Sequence, residues 1–110
     1  MNILIDTQKY TERVSNALKA SLFIELESVA SILLEARKNN RWIFLAGNGG
    51  SASTASHFAN DMMKGLSIIG KPRFRAKALC EAMPIITALA NDYNYDLIYV
   101  EQLKNYASTG

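Results

Sequence analysis

The chain has 110 residues, 49% of them hydrophobic and 20% charged, with a formal net charge of +2. That length holds one domain, the composition excludes a disordered chain, and so small a charge excludes an electrostatic claim on nucleic acid or an anionic membrane. No apolar stretch approaches the roughly 20 residues that span a bilayer, the N-terminus lacks the basic lead of a signal peptide, and the lone Cys80 fits a reducing cytoplasm.

From Asp6 to about Asn39, Val14, Leu18, Leu22, Leu26, Val29 and Leu33 recur at helical spacing. Asp6 or Thr7 is the expected N-cap, and Lys38-Asn39-Asn40-Arg41 the expected stop. A single helix of that length is unusual in a globular domain, so the pattern predicts two helices with a break near Ala20-Ser21. Leu22-Phe23-Ile24 is apolar on nearly all sides and predicts contact with a second subunit, which makes residues 1–40 a helical region for packing and oligomerisation. Trp42 to Ala46 reads as a buried strand, and Ser51 to Gly65 as a helix with Ala52, Ala55, Phe58, Ala59 and Met62 at helical spacing.

Ser67 to Arg73 carries breakers and is a loop; Lys71, Arg73, Arg75 and Lys77 make it basic, either to guide a phosphorylated substrate or simply as a solvated loop. A short strand over Ala76–Leu79 follows, then a helix from Pro84 to Ala90, since proline suits the first helical turn. Asn91 to Asn94 reads as a polar aromatic turn, and Asp96–Tyr106 as a last helix with Leu97, Val100, Leu103 and Lys104 near one face. Helix and strand alternate, which predicts an α/β fold in three layers with parallel strands.

Between the first strand and its helix lies Gly47-Asn48-Gly49-Gly50-Ser51. Unpaired N–H groups at a helix start and the helix dipole favour an anion there, and glycine lets the backbone come close to it. Ser51 is placed to cap the helix or to donate to a ligand. His57 and Asp61, four residues apart, share one helical face. This is neither a dinucleotide fingerprint nor a Walker loop, so the residues alone offer a phosphate or carboxylate site, or an ordinary strand-to-helix turn.

The longer string, Gly47-Asn48-Gly49-Gly50-Ser51-Ala52 followed by His57-Phe58-Ala59 and an acid at 61, resembles the sugar isomerase (SIS) domain of phosphoheptose isomerases. A second block, Thr87-Ala88-Leu89-Ala90-Asn91-Asp92-Tyr93-Asn94-Tyr95, is similar to another segment of that family, and the likeness runs over essentially the whole chain. It implies a flavodoxin-like αβα sandwich, incomplete here, with residues 41–110 as the N-terminal half of a SIS domain and the N-terminal helices ahead of it. SIS domains of this type are nearly twice as long, which leaves the second phosphate-binding loop outside this sequence.

The resemblance further implies isomerisation of sedoheptulose 7-phosphate to an aldose heptose 7-phosphate, in the cytoplasm, for bacterial lipopolysaccharide and other surface polysaccharide. Such a reaction needs a proton moved between neighbouring carbons and an anchored phosphate. Asn48, Gly49, Gly50, Ser51, Asn91 and Asp92 match substrate-binding positions. His57 and Asp61 match a catalytic and zinc-binding pair, with Asp61 where the family has glutamate, about 1.5 Å less reach. The partners implied are a phosphorylated sugar and further copies of the chain, as dimer or tetramer. A non-catalytic SIS regulator or adaptor that binds a phosphosugar is the other function the resemblance allows.

Overall fold

A computed structural model of the chain describes residues 2–19 and 22–108. The order is α1 (Ile3–Lys19), α2 (Leu22–Lys38), β1 (Trp42–Leu45), α3 (Gly50–Asn60) running into a π-helical turn (Asp61–Gly65), β2 (Arg75–Ala78), α4 (Met83–Asp92), a 3₁₀ turn (Tyr95–Leu97) and α5 (Val100–Tyr106). Two compact units emerge, Met1–Leu33 and Leu34–Gly110. Among the described residues no helix is long and apolar enough to cross a membrane.

In the first unit, α1 begins earlier than Asp6 or Thr7. Asn2 caps it, its Oδ1 accepting from the Ile5 N–H at 3.3 Å, because an Asn side chain one residue ahead of the helix satisfies an orphan donor of the first turn. The expected break near Ala20-Ser21 falls outside the described residues. No side chain of α1 is buried; Tyr10, Val14 and Leu18 form an exposed apolar stripe at four-residue spacing.

The second unit opens with the last turn of α2, which stops as expected at the two asparagines. Asn40 takes φ 54°, its N–H bonds to Arg37 O and the Arg41 N–H reaches back to Ala36 O at 2.8 Å. That is a Schellman stop built on asparagine, one of the few residues besides glycine that tolerates the left-handed conformation.

β1 and β2 pair in parallel, Trp42 opposite Arg75 and Leu45 opposite Ala78, and the Leu79 N–H extends the ladder to Leu45 O. The alternation of the pleat separates two faces. Ala76 and Ala78 are buried, and α3 packs on β2 through Ala55 and Ala59, with Met62 one turn on. Alanine on both elements permits a close helix-to-sheet approach. On the opposite face Arg75 lies over Trp42 at 4.4 Å and Lys77 over Tyr106 at 4.8 Å.

Two element boundaries differ from the sequence expectation. β2 runs Arg75–Ala78 instead of Ala76–Leu79, so Arg75 is a strand residue rather than part of the loop before it. α4 runs through Asp92, so Asn91 and Asp92 close a helix instead of forming a turn; the backbone bond from Tyr93 N to Leu89 O carries the helix past them. The final helix is shorter than expected, and its buried positions are Ile98, just ahead of it, and Gln102, while Val100 and Lys104 are exposed. Gln102 is 4% exposed, yet its amide donates to Leu79 O at 3.0 Å and Ile98 O at 2.8 Å, which ties the final helix to the end of β2.

Candidate functional site

The loop leaving β1 is shaped by two glycines for different reasons. A Cβ on Gly47 would sit 2.5 Å from both the carbonyl carbon and oxygen of Ser51, so only glycine lets the strand end lie against the first turn of α3. Gly49 has φ 53° and ψ −122°, a conformation that side chains resist, and it is the N-cap of α3.

Ser51 therefore does not cap the helix. Its Oγ accepts from the Asn48 N–H and donates to Asn48 O, both at 2.8 Å, which staples the loop onto itself. In this arrangement its proton is directed at Asn48 O. The N–H groups of Ser51, Ala52 and Ser53 are likewise engaged, by Asn48 O and Gly49 O. Among the described residues, the backbone N–H groups of Gly49 and Gly50 and the side-chain amide of Asn48 have no acceptor. Three donors on exposed residues thus stand at the positive end of an eleven-residue helix.

Two phenols from further along the chain converge on this loop. Tyr95 Oη donates to Asn48 Oδ1 at 2.8 Å, and Tyr99 Oη reaches Gly47 O at 2.6 Å and Asn48 Oδ1 at 3.1 Å. Burial is the first cause that raises the Tyr99 pKa above the ordinary phenol value, so it remains a donor.

His57 and Asp61 lie on the outer face of α3, because Ala55 and Ala59 take the inner one. His57 Nε2 and Asp61 Oδ2 are 3.5 Å apart and both side chains are more than half exposed. His57 stands between two shallow pockets. One, of about 430 Å³, is completed by Ser53, Ser56, Asn60, Cys80 and Glu81; the other, of about 480 Å³, by Ser53, Thr54, Phe58 and Asp61. In the first, Ser56 Oγ donates to Glu81 Oε1 at 2.6 Å, and the Cys80 thiol, half-buried rather than enclosed, donates to Ala52 O.

A tetrahedral zinc ion with bonds of about 2.0–2.1 Å sets two ligand atoms about 3.3 Å apart, so the His57–Asp61 pair suits two of its four positions. Among the described residues no group of three or more His, Cys, Asp or Glu side chains is gathered for a metal ion.

Asn91 and Asp92 are exposed at the end of α4 and paired with each other, Asn91 Nδ2 to Asp92 Oδ1 at 2.9 Å; neither hydrogen-bonds to the glycine loop. Arg73, Arg75 and Lys77 find their partners elsewhere. Arg73 donates to Ser67 Oγ, while Arg75 and Lys77 lie over aromatic rings, with Arg75 at the N-terminal end of the sheet. Sequence reasoning quoted Gly47 only within the glycine motif and read Tyr95 and Tyr99 as packing residues. The four-residue spacing of the two tyrosines was the available signal, but their hydroxyls reach 47 to 52 positions back along the chain.

A sequence model described as SIS domain matches residues 8–109. The chain belongs to the SIS domain family. Among similar proteins, the phosphoheptose isomerase of Citrifermentans bemidjiense is 35% identical over 97 residues, 88% of this chain and 50% of that protein. The phosphoheptose isomerase of Geobacter metallireducens is 33% identical over the whole chain and 58% of its own length. Among solved structures, phosphoheptose isomerase GmhA from Neisseria gonorrhoeae superposes with a TM-score of 0.80 at 26% identity, over 96% of this chain and 54% of that one. The SIS chain therefore spans about half the length of these relatives. Its parallel pair of strands, with α3 packed on one side, is the expected αβα architecture in part.

Proposed function

We propose that this SIS chain is the N-terminal half of a phosphosugar isomerase that interconverts sedoheptulose 7-phosphate and an aldose heptose 7-phosphate. The observation that carries it is the set of three donors without an acceptor among the described residues, Gly49 N–H, Gly50 N–H and the Asn48 amide, at the head of the helix that bears His57 and runs into the turn bearing Asp61. His57 lies six residues beyond Ser51, about 9 Å along the helix axis. A heptulose phosphate has seven bonds between its phosphorus and its carbonyl carbon, a comparable span when extended. The phosphate anchored at the loop leaves the carbonyl carbons near the imidazole, which is where acid–base groups are needed.

In this reading His57 and Asp61 move the proton between carbons and hold a zinc ion together with donors outside the described residues; bound zinc would polarise the sugar oxygens. Asn91 and Asp92 serve as further substrate contacts. The exposed apolar residues of α1 and α2 support a homo-oligomer, dimer or tetramer. A cytoplasmic enzyme of heptose supply for lipopolysaccharide is the setting this reading implies, and the relatives' names support its heptose phosphate chemistry alone.

Titration of the chain with sedoheptulose 7-phosphate, followed by amide resonances, is the first test. Shifts at Gly49 and Gly50 are expected, and their absence would remove the phosphosugar reading. Turnover in a protein carrying this segment within a complete SIS domain separates an enzyme from a sensor. Loss of turnover in His57→Ala is expected; binding without any turnover in the parent would favour the non-catalytic regulator.

A further inference from the structure

At the other end of β1 from the glycine loop, a concave pocket of about 550 Å³ opens between the α2–β1 turn, the face of the sheet away from α3 and the last turn of α5. Five residues separate Trp42 from Gly47, about 16 Å at the rise of a strand, so this pocket is distinct from those beside His57. Its floor is a strip of three rings. Trp42 and Phe44 stack with centroids 5.8 Å apart and planes 20° from parallel, and Tyr106 follows Phe44 at 6.3 Å. Trp42 is 38% exposed and Tyr106 44%, a large aromatic surface to leave in water.

The charges around this strip are all of one sign. Arg41 and Arg75 line the pocket, Lys77 stands over the Tyr106 ring at 4.8 Å, and none of the lining residues is acidic. Among the described residues none of these three cations pairs with a carboxylate. Arg75 is held in place: its guanidinium lies over Trp42 at 4.4 Å and donates one N–H to Asn40 O at 3.0 Å. A guanidinium carries five N–H donors in a rigid fork, so this one is oriented with most of its donors still to give. Arg41, exposed and next to Trp42 in the chain, adds a second fork to the same pocket. Guanidinium forks match phosphate oxygens, and an aromatic floor suits a planar, apolar group. Inorganic phosphate would leave the rings uncovered, and a neutral aromatic compound would leave the charges unpaired. The ligand that satisfies both carries an aromatic ring and a phosphate.

We infer that this pocket binds a nucleotide, its base against the Trp42–Phe44–Tyr106 strip and its phosphates held by Arg41 and Arg75. The inference goes beyond the phosphosugar reading and does not rest on it, since it uses no residue of the glycine loop or of the His57–Asp61 pair. At the far end of β1 from that pair, the nucleotide is placed to act as an effector and not as a substrate.

Trp42 is the single tryptophan of the chain, so its fluorescence reports on this pocket. The test is a titration of the chain with ADP, chosen because stacking tolerates any base, with adenosine and inorganic phosphate titrated separately. ADP should change the Trp42 emission along a saturable curve. Adenosine and phosphate should each bind at least about tenfold more weakly, because each supplies only part of the contacts. Arg41→Ala truncates an exposed side chain, so the fold should be kept while ADP binds about tenfold more weakly, the effect of one hydrogen bond to a charged group. Arg75→Lys keeps the charge but loses the planar fork, and should weaken ADP by a similar factor. If Arg75→Lys does not fold, Arg41→Ala alone decides. The inference is overturned by the absence of a saturable response to ADP, by adenosine or phosphate binding as well as ADP, or by unchanged affinity in Arg41→Ala. None of these outcomes touches the phosphosugar reading, which is tested at Gly49 and Gly50.

Discussion

The glycines of the loop look alike in sequence but carry different constraints. Ala at position 47 drives a methyl group to within 2.5 Å of backbone atoms of Ser51, so Gly47→Ala should cost about 1–3 kcal/mol, as overpacking does. A Cβ at Gly50 meets nothing within 4 Å, and Gly50→Ala should stay within about 0.5 kcal/mol. Urea midpoints at unchanged slope compare the two. Tyr99 adds a pH dependence. Its folded-state pKa lies above the ordinary phenol value of about 10, so its contribution is whole below that pH and is lost as pH rises through the raised value. Thermal melts of the parent should fall in that alkaline window more steeply than those of Tyr99→Phe. At this scale the sequence was half legible. Asn48, Gly49 and Gly50 stand out because their residue types suit an anion. Ser51 looks like a cap and is a loop staple, and no local pattern shows that two tyrosines some fifty residues away will fold onto Asn48.

Elements were read best where their chemistry is local. Trp42-Ile43-Phe44-Leu45 is an apolar run, and it is β1, though exposed at Trp42 and half-buried beyond it rather than buried as expected, since one neighbouring strand and one helix cover only part of it. Arg75-Ala76-Lys77-Ala78 has weak strand propensity; it becomes a strand because its alanines fit under α3, while Arg75 finds the Trp42 ring opposite it in register and Lys77 the Tyr106 ring of α5. That pairing cannot be seen before the register is known, which is why the basic residues resembled a phosphate guide. Asn91 and Asp92 are turn formers by type, yet α4 continues through them. Gln102 is the polar hinge between elements. Gln102→Ala leaves the buried Leu79 carbonyl without its side-chain partner and should cost about 1–3 kcal/mol in chemical denaturation.

For the molecule as a whole, the helical unit ahead of the sheet leaves Tyr10, Val14 and Leu18 exposed along α1. Association through that stripe predicts a sedimentation coefficient that rises with concentration and reverts to that of a single chain in Tyr10→Glu/Leu18→Glu. A parallel pair of strands has a further consequence, in time rather than in space. Every partner in the β1–β2 ladder lies 33 residues from its mate, so the first rung forms only after a long loop has closed, at an entropic cost of about 3 kcal/mol. Helix α3 sits inside that loop and can form early from local contacts, which shortens the distance left to search. Weakening α3 with Ala59→Gly should therefore slow refolding in stopped-flow measurements. Ala78→Gly in β2 should chiefly hasten unfolding, since strand pairing comes last.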